Sequence, residues 1–243
     1  MAVQDDERER ELVRLFNFTW DAAHQRSGVD AVLDIKVGDR KRRIEVEVKS
    51  STGTTVSTAR DVSMEHILKW RSKLFVIGFY SRSAGRPELQ KSLCLTPIDM
   101  EPWISSIENK ILIDFTLAGR ASMKLEMDDL FDVCGEQHTY SRDDAKRLHK
   151  NQWSAEQYDS ALDVTIDGHR RISQVRMLEI LQLRAKYIAE RGATLNNPHI
   201  TSSFLSRFYG SDREITGNWA ERIRAIATAF VEDYPDHSAS QLI

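Results

Sequence analysis

The chain of 243 residues contains little cysteine, proline or glycine, and it has no long apolar run. Its two cysteines, Cys94 and Cys134, are far apart and form no Cys-x-x-Cys motif, which excludes a disulfide framework and a cysteine zinc site. No apolar segment approaches the roughly 20 residues that cross a bilayer, so no membrane partner is expected. The first six residues are acidic or neutral where a secretory signal is basic and then apolar, and we therefore expect a cytoplasmic protein.

The charge is distributed unevenly, although the formal net charge is only -3. Residues 30–91 contain 13 Lys or Arg against 8 Asp or Glu, whereas residues 99–136 contain 3 against 9. A basic segment can meet phosphate groups while an acidic one faces away from them. No glycine-rich phosphate loop of the G-x-x-x-x-G-K or G-x-G-x-x-G type occurs, so nucleotide-driven chemistry is not expected.

Hydrophobic periodicity predicts a mixed α/β first part and a helical second part. Two alternating runs, 29–37 and 44–49, flank the turn Gly38-Asp39 and predict a β-hairpin. The other elements predicted before residue 141 are helices over 5–26 and 58–71, strands over 74–80 and 92–96, and a short strand over 111–113. Beyond residue 141 helical spacing dominates, with helices over about 171–191 and from Asn218 onward.

Carboxylates gather on one face of the predicted hairpin. Side chains alternate between the faces of a strand, so Glu45, Glu47 and Lys49 point the same way. Reflection of the hairpin about Gly38-Asp39 places Asp30 opposite Glu47, and Asp34 nearer Glu45. Like charges facing each other destabilise a sheet, and a divalent cation removes that conflict.

The oxygen atoms at this face suit Mg²⁺. Two carboxylates, the Val48 carbonyl and several waters form a hard oxygen site. Lys49 lies two residues past Glu47 and is placed to orient or deprotonate a metal-bound water, or to stabilise charge that grows on a phosphate. This pattern predicts metal-assisted hydrolysis of a phosphodiester.

Asp30, followed across a hairpin by Glu47-Val48-Lys49, resembles the PD-(D/E)xK nuclease superfamily. The resemblance covers residues 5–80, and Val29 stands where the family name has proline. Within the superfamily, the chain is most similar to type II restriction endonucleases. The resemblance implies that Asp30 and Glu47 are metal ligands and that Lys49 is the catalytic lysine. Two alternatives stay open, since Asp34 can replace Asp30 and Glu45 can add a ligand.

The implied fold is an α/β (α+β mixed) restriction-endonuclease-like core sheet flanked by helices, with a helical C-terminal region. We expect the nuclease core to span residues 1–140. Residues 141–243 are expected to serve DNA recognition, dimerisation or both, and one continuous domain is the alternative. Candidate DNA contacts are basic or amide side chains that can reach phosphates or base edges: Arg60, Lys69, Arg71, Asn196, Asn197 and His199.

The expected activity is Mg²⁺-dependent, sequence-specific cleavage of double-stranded DNA. Two cuts in a palindrome require two active sites related by a two-fold axis, so a homodimer is expected. A companion DNA methyltransferase is implied, because an unprotected host would lose its own chromosome. The same hairpin is compatible with two alternative functions. The first is a structure-selective repair or junction-resolving nuclease, and the second is a DNA-binding protein on a nuclease scaffold that no longer cuts.

Overall fold

The computed structural model describes residues 2–19, 30–81 and 87–242, with side chains from residue 7 onward. Its helices are α1 (Ala2–Leu15), α2 (Met64–Trp70), α3 (Pro97–Ser122), α4 (Met127–Cys134), α5 (Arg142–His149), α6 (Ala155–Ser160), α7 (Gln174–Ala193), α8 (Ser202–Leu205) and α9 (Trp219–Asp233). Its strands are β1 (Ala31–Val37), β2 (Arg40–Ser51), β3 (Val56–Ser57), β4 (Lys73–Tyr80), β5 (Leu89–Leu95), β6 (Thr139–Tyr140), β7 (Val164–Ile166), β8 (His169–Ser173), β9 (His199–Ile200), β10 (Glu214–Ile215) and β11 (Gln241–Leu242). The fold is the mixed α/β class that the sequence predicts. No described helix is long and apolar enough to cross a membrane.

The main sheet is built on the predicted hairpin. Its strands follow the order β1-β2-β4-β5-β10, and β11 also pairs with β2. The β1–β2 turn closes at Gly38, whose positive φ of 59° suits glycine, and Val37 pairs with Arg40. Strand β2 pairs in parallel with β4, whereas the other neighbours are antiparallel. Strand β4 is buried along its whole length, as expected for a central strand.

Helices cover both faces of this sheet. One face carries α1 and α9 and forms an apolar core that includes Leu12, Phe16, Val76 and Phe230. On the other face, Trp70 of α2 packs against Trp103 of α3, with ring centroids 5.2 Å apart and the rings tilted by 43°. The side chains of Glu47 and Lys49 lie on this second face of the sheet. They alternate along β2 with Val46 and Val48, which point into the core of the first face.

Several predicted boundaries are wrong. The first helix ends at Leu15 instead of residue 26, and Asn17 beyond it has a φ of 53°. The rest of the helix was predicted from the spacing of Trp20 and Ala23 and from Gly28 as its stop, and these three residues fall outside the described residues. Residues 111–113 lie inside helix α3 and form no strand. In that helix Met100, Ile104, Ile107 and Ile111 are buried at helical spacing, and this longer period outweighs the local β-branched run.

The chain divides into two compact units in a way that differs from the predicted boundary at residue 140. The first unit contains residues 1–110 and 195–243, and the second contains residues 111–194. The last part of the chain belongs to the first unit because β10 pairs with β5 and because Ile223 and Phe230 of α9 lie in its core. The second unit is not purely helical, since β6, β7 and β8 form a three-stranded sheet within it.

Leu12 of helix α1 packs directly against Gly78 of strand β4. A Cβ atom added there would lie 2.7 and 2.8 Å from the two Cδ atoms of Leu12, and 3.1 Å from Cδ1 of Leu89. Leu12 is fully buried, so it has no free space into which to move. We expect Gly78→Ala to lower the free energy of unfolding by about 1–3 kcal/mol, measured by urea denaturation.

Gly119→Ala is the matched control for this substitution. Gly119 lies in α3, and no atom lies within 4 Å of the position of an added Cβ. The gain in helix propensity should make this variant neutral or more stable by up to about 1 kcal/mol. Equal stability of the two variants would contradict the close packing of α1 on β4.

Candidate functional site

Four of the predicted site residues, Asp30, Glu47, Val48 and Lys49, come together at the open end of the hairpin. Three oxygen atoms surround the Nζ atom of Lys49: Glu47 Oε1 at 2.8 Å, the Val48 carbonyl oxygen at 3.1 Å and Asp30 Oδ2 at 3.4 Å. The register that pairs Ala31 with Val46 brings Asp30, just before β1, beside this part of β2. The backbone N–H of Val48 also donates to Asp30 Oδ2 at 3.0 Å, which fixes the orientation of this carboxylate.

A second lysine that the sequence analysis missed completes the cluster. Lys73 begins β4, is only 4% exposed, and its Nζ atom lies 3.0 Å from Glu47 Oε2. The parallel register that pairs Glu45 with Lys73 brings this lysine beside β2. Each carboxylate oxygen of Glu47 therefore has its own ammonium partner. The sequence signal was weak, because Lys73 reads as a loop residue before the apolar strand over 74–80.

The ion pairs determine the protonation of the buried groups. Burial alone would raise the pKa of Glu47, but the charges of Lys49 and Lys73 outweigh it and lower that pKa to about 2. Burial alone would lower the pKa of Lys49, but the charges of Glu47, Asp30 and Glu9 outweigh it and raise that pKa above its usual range. Lys49 is therefore an ammonium group while its carboxylate neighbours are in place.

Glu9 is the third carboxylate that acts on Lys49, and the sequence analysis did not select it. It lies on α1, a helix that packs against β2 and β4. The hydroxyl of Tyr80 donates to the carbonyl oxygen of Arg8 at 3.1 Å and fixes this end of the helix to β4. Only the packing of a helix on a sheet brings Glu9 near the hairpin, and no local motif signals it.

The two alternative carboxylates do not join the cluster. Asp34 accepts two hydrogen bonds from Arg43, at 2.9 and 3.0 Å, and both side chains are nearly half exposed. Glu45 makes no hydrogen bond or ion pair with any residue of the cluster within the described parts of the chain. Of the open alternatives, the structure brings Asp30, and not Asp34, to Glu47 and Lys49.

The donor set fits a hard cation. The two carboxylates and the carbonyl that surround the Lys49 ammonium are the oxygen types that Mg²⁺ prefers. Asp30, Glu47 and Val48 would hold the metal, and Lys49 would have to move aside because its ammonium group lies among the same three oxygens. Over residues 2–19, 30–81 and 87–242, no group of three or more His, Cys, Asp or Glu side chains forms a metal site. A metal held by Asp30 and Glu47 would therefore need the Val48 carbonyl as its third ligand from the protein.

The predicted phosphate contacts of the 60–71 segment differ in their availability. Arg71 is held by carboxylates of α3, with Nη2 at 2.8 Å from Glu101 and 2.6 Å from Glu108. The expected role of Arg71 at a phosphate therefore does not fit, because two counter-charges already occupy its guanidinium. Lys69 pairs with Glu65 on the exposed face of α2, and Arg60 is exposed.

The polar loop at 196–199 is tied to the segment that follows strand β2. Strand β9 pairs with β3 in an antiparallel ladder. Asn197 adopts a φ of 48° and its side-chain oxygen accepts from the Thr58 N–H at 3.2 Å, so its main role is to form this turn. Asn196 and His199 are exposed, and Nδ1 of His199 lies 3.4 Å from Oγ of Ser57.

The two ion pairs of Glu47, with Lys49 and Lys73, predict that the folded protein loses stability at acid pH. The ionised pair stabilises the fold above the ordinary carboxyl pKa, and this contribution is lost as the pH falls from 4.5 toward 2. Lys73→Met removes one cation, so the pKa of Glu47 in the folded protein should rise toward its unfolded value, and less stability should then be lost as the pH falls below 4.5. Because the pair is buried, removal of one partner should also lower the free energy of unfolding at neutral pH by up to about 3–5 kcal/mol. Urea denaturation between pH 3 and 7 measures both effects.

Lys69→Met is the control, because it removes a lysine of an exposed pair on a neighbouring helix. We expect this substitution to lower the free energy of unfolding by less than about 1 kcal/mol. The double variant Glu47→Gln/Lys73→Met should recover part of the loss, since it leaves no uncompensated charge. A Lys73→Met protein with the pH profile of the wild type would contradict the assigned pairing.

The comparisons with known proteins supply no assignment for this arrangement. No protein-family model matches the chain. No curated protein matches it significantly either. What the cluster of Asp30, Glu47, Lys49 and Lys73 can do must therefore follow from its own geometry and chemistry.

Proposed function

We propose that the chain is a Mg²⁺-dependent endodeoxyribonuclease that hydrolyses phosphodiester bonds of double-stranded DNA at a short sequence, as type II restriction enzymes do. One observation carries this proposal: the Asp30 and Glu47 carboxylates and the Val48 carbonyl converge on a single cationic atom, Nζ of Lys49. Three hard oxygens around one positive centre form a site that a divalent cation can share with a phosphate.

The protein residues divide the work as follows. Asp30, Glu47 and the Val48 carbonyl would hold the cation. When bound, Mg²⁺ neutralises a non-bridging phosphate oxygen and makes a coordinated water more acidic. Lys49, which the cation would displace from the three oxygens, would carry its proton to the nearby phosphate and stabilise charge there, a role that we favour over that of a base. Lys73 remains on Glu47 and keeps that carboxylate ionised.

In-line attack by water forms a new P–O bond and breaks the bond to O3′. The products are then a 5′-phosphate and a 3′-hydroxyl, the ends that the resemblance implies. Two strands cut at one site call for two such clusters, and a homodimer related by a two-fold axis supplies them. A companion methyltransferase and a cytoplasmic location belong to the same proposal, because host DNA requires protection.

Substitutions at the cluster test the proposal directly. Glu47→Gln and Lys49→Met should each lower the rate of plasmid cleavage at least about 100-fold, since each removes charge stabilisation at the reacting phosphate. Asp34→Asn is the matched control, because this carboxylate shares the hairpin but pairs with exposed Arg43. It should leave the rate within a factor of about two. The assay is cleavage of supercoiled plasmid in the presence of MgCl₂, with and without a chelator.

The pattern of products separates the remaining functions. Defined bands that disappear with the chelator and with Glu47→Gln support site-specific cleavage. Cleavage restricted to four-way junctions, flaps or mismatches would replace the restriction enzyme with a repair nuclease. Binding of duplex without any cleavage would support a DNA-binding protein in which Lys49 and Lys73 neutralise Glu47 permanently. Cleavage that persists in both Glu47→Gln and Lys49→Met would refute the site.

A further inference from the structure

The second unit contains a basic cleft that the nuclease proposal does not use. It lies between the end of α5 and the last turns of α7, and its volume is about 510 Å³. Its lining consists of three cations and three apolar or aromatic side chains: Lys150, Arg184, Arg191, Leu148, Tyr187 and Ile188. No carboxylate lines it, although acidic residues outnumber basic ones in the chain as a whole.

Arg184 is the anchor of this cleft. The residue is only 7% exposed, and its guanidinium donates one hydrogen bond to Gln152 Oε1 at 2.8 Å and lies 5.3 Å from the ring centre of Tyr187. No carboxylate within the described residues forms an ion pair with it. A buried charge without a counter-charge is unfavourable, so a guanidinium in this position is suited to an anion from outside the chain.

Two further cations flank the guanidinium. Lys150 caps the C-terminal end of α5 in the left-handed backbone region, with a φ of 51°, and its side chain is exposed at the cleft. Arg191 is exposed on α7. Neither forms an ion pair with a carboxylate in the part of the chain that the structure describes, whereas Lys186 on the same helix approaches Glu190 at 3.7 Å. The positive charge of the cleft is therefore not neutralised by the protein.

We propose that this cleft binds a phosphate group of the DNA backbone. Guanidinium groups match phosphate oxygens with paired hydrogen bonds, and the lysine adds a point charge. The apolar wall of Leu148, Tyr187 and Ile188 suits the sugar and base that accompany a backbone phosphate better than a free inorganic ion. The choice of DNA as the source of the phosphate rests on the proposed function, whereas the choice of phosphate rests on the cleft alone.

The double variant Lys150→Gln/Arg191→Gln tests the inference. Both residues are exposed, so the variant should fold, and a thermal melt checks this. Binding of a fluorescein-labelled 20-bp duplex of arbitrary sequence is followed by fluorescence anisotropy, with EDTA present to prevent cleavage, over a range of KCl concentrations (on the order of 50–200 mM). We expect at least tenfold weaker binding and a salt slope, in log-log form, that is shallower by about two.

Arg176→Gln/Lys186→Gln is the matched control. It removes the same amount of charge, here from α7 alone, at residues that pair with Glu179 and Glu190 and do not line the cleft. It should keep the affinity within about threefold of the wild type. Equal salt slopes for the cleft variant and the wild type would overturn the inference, as would equal losses in the two double variants.

The source of the phosphate is settled by thermal shifts with AMP and with inorganic phosphate. Cleft variants that lose a shift with AMP but bind duplex like the wild type would overturn DNA as the ligand in favour of a small phosphate compound. A wild type that binds duplex through the cleft but cuts no plasmid refutes the nuclease and leaves the cleft intact. A wild type that cuts, with a cleft variant of unchanged affinity, refutes the cleft alone.

Discussion

The buried carboxylate of Glu47 is the constraint on which the candidate site depends. Its residue is 8% exposed, and an ionised carboxylate is stable there only with counter-charges close by. The hairpin supplies Lys49, and the parallel pairing of β2 with β4 supplies Lys73. The cluster is therefore a property of the whole central sheet, and a separate hairpin would leave one oxygen of Glu47 without a partner. Close packing of α1 at Gly78 holds the same two strands from the other face.

This charge balance also defines what can enter the site. Asp30 and Glu47 are matched by Lys49 and Lys73, so the cluster needs no external ion to remain stable. A divalent cation alone would add positive charge next to two ammonium groups. With the charge of Glu9 included, a divalent cation together with one diester phosphate leaves the surroundings close to neutral. For the proposed nuclease, these charges would favour joint binding of metal and DNA over binding of the metal alone.

What could be predicted from the sequence was local. The Gly38 turn determined the register of the hairpin, and this register correctly placed Asp30 opposite Glu47, although it left Asp34 open as an alternative. Arg43 lies directly opposite Asp34 in this register and forms an ion pair with it. This pairing was the sequence signal that Asp34 has a partner of its own. Lys73 required a parallel pairing between strands separated by a helix, which no local pattern encodes. The same holds for the division into units, because residues 195–243 return to the first unit through contacts that are distant in sequence.

The arginines show why charge alone was a poor guide to DNA contacts. Arg71 lies in the segment after β2 in which phosphate contacts were predicted, yet Glu101 and Glu108 on α3 neutralise its charge. Arg184 received no role from its sequence position, since apolar residues share its helix face. It is nonetheless the more deeply buried of the two, and no carboxylate of the described chain offsets it. A cation with internal partners stabilises the fold, whereas a buried cation without one is available to an anionic ligand. By this criterion the phosphate contacts are best sought at Arg184 and its exposed neighbours.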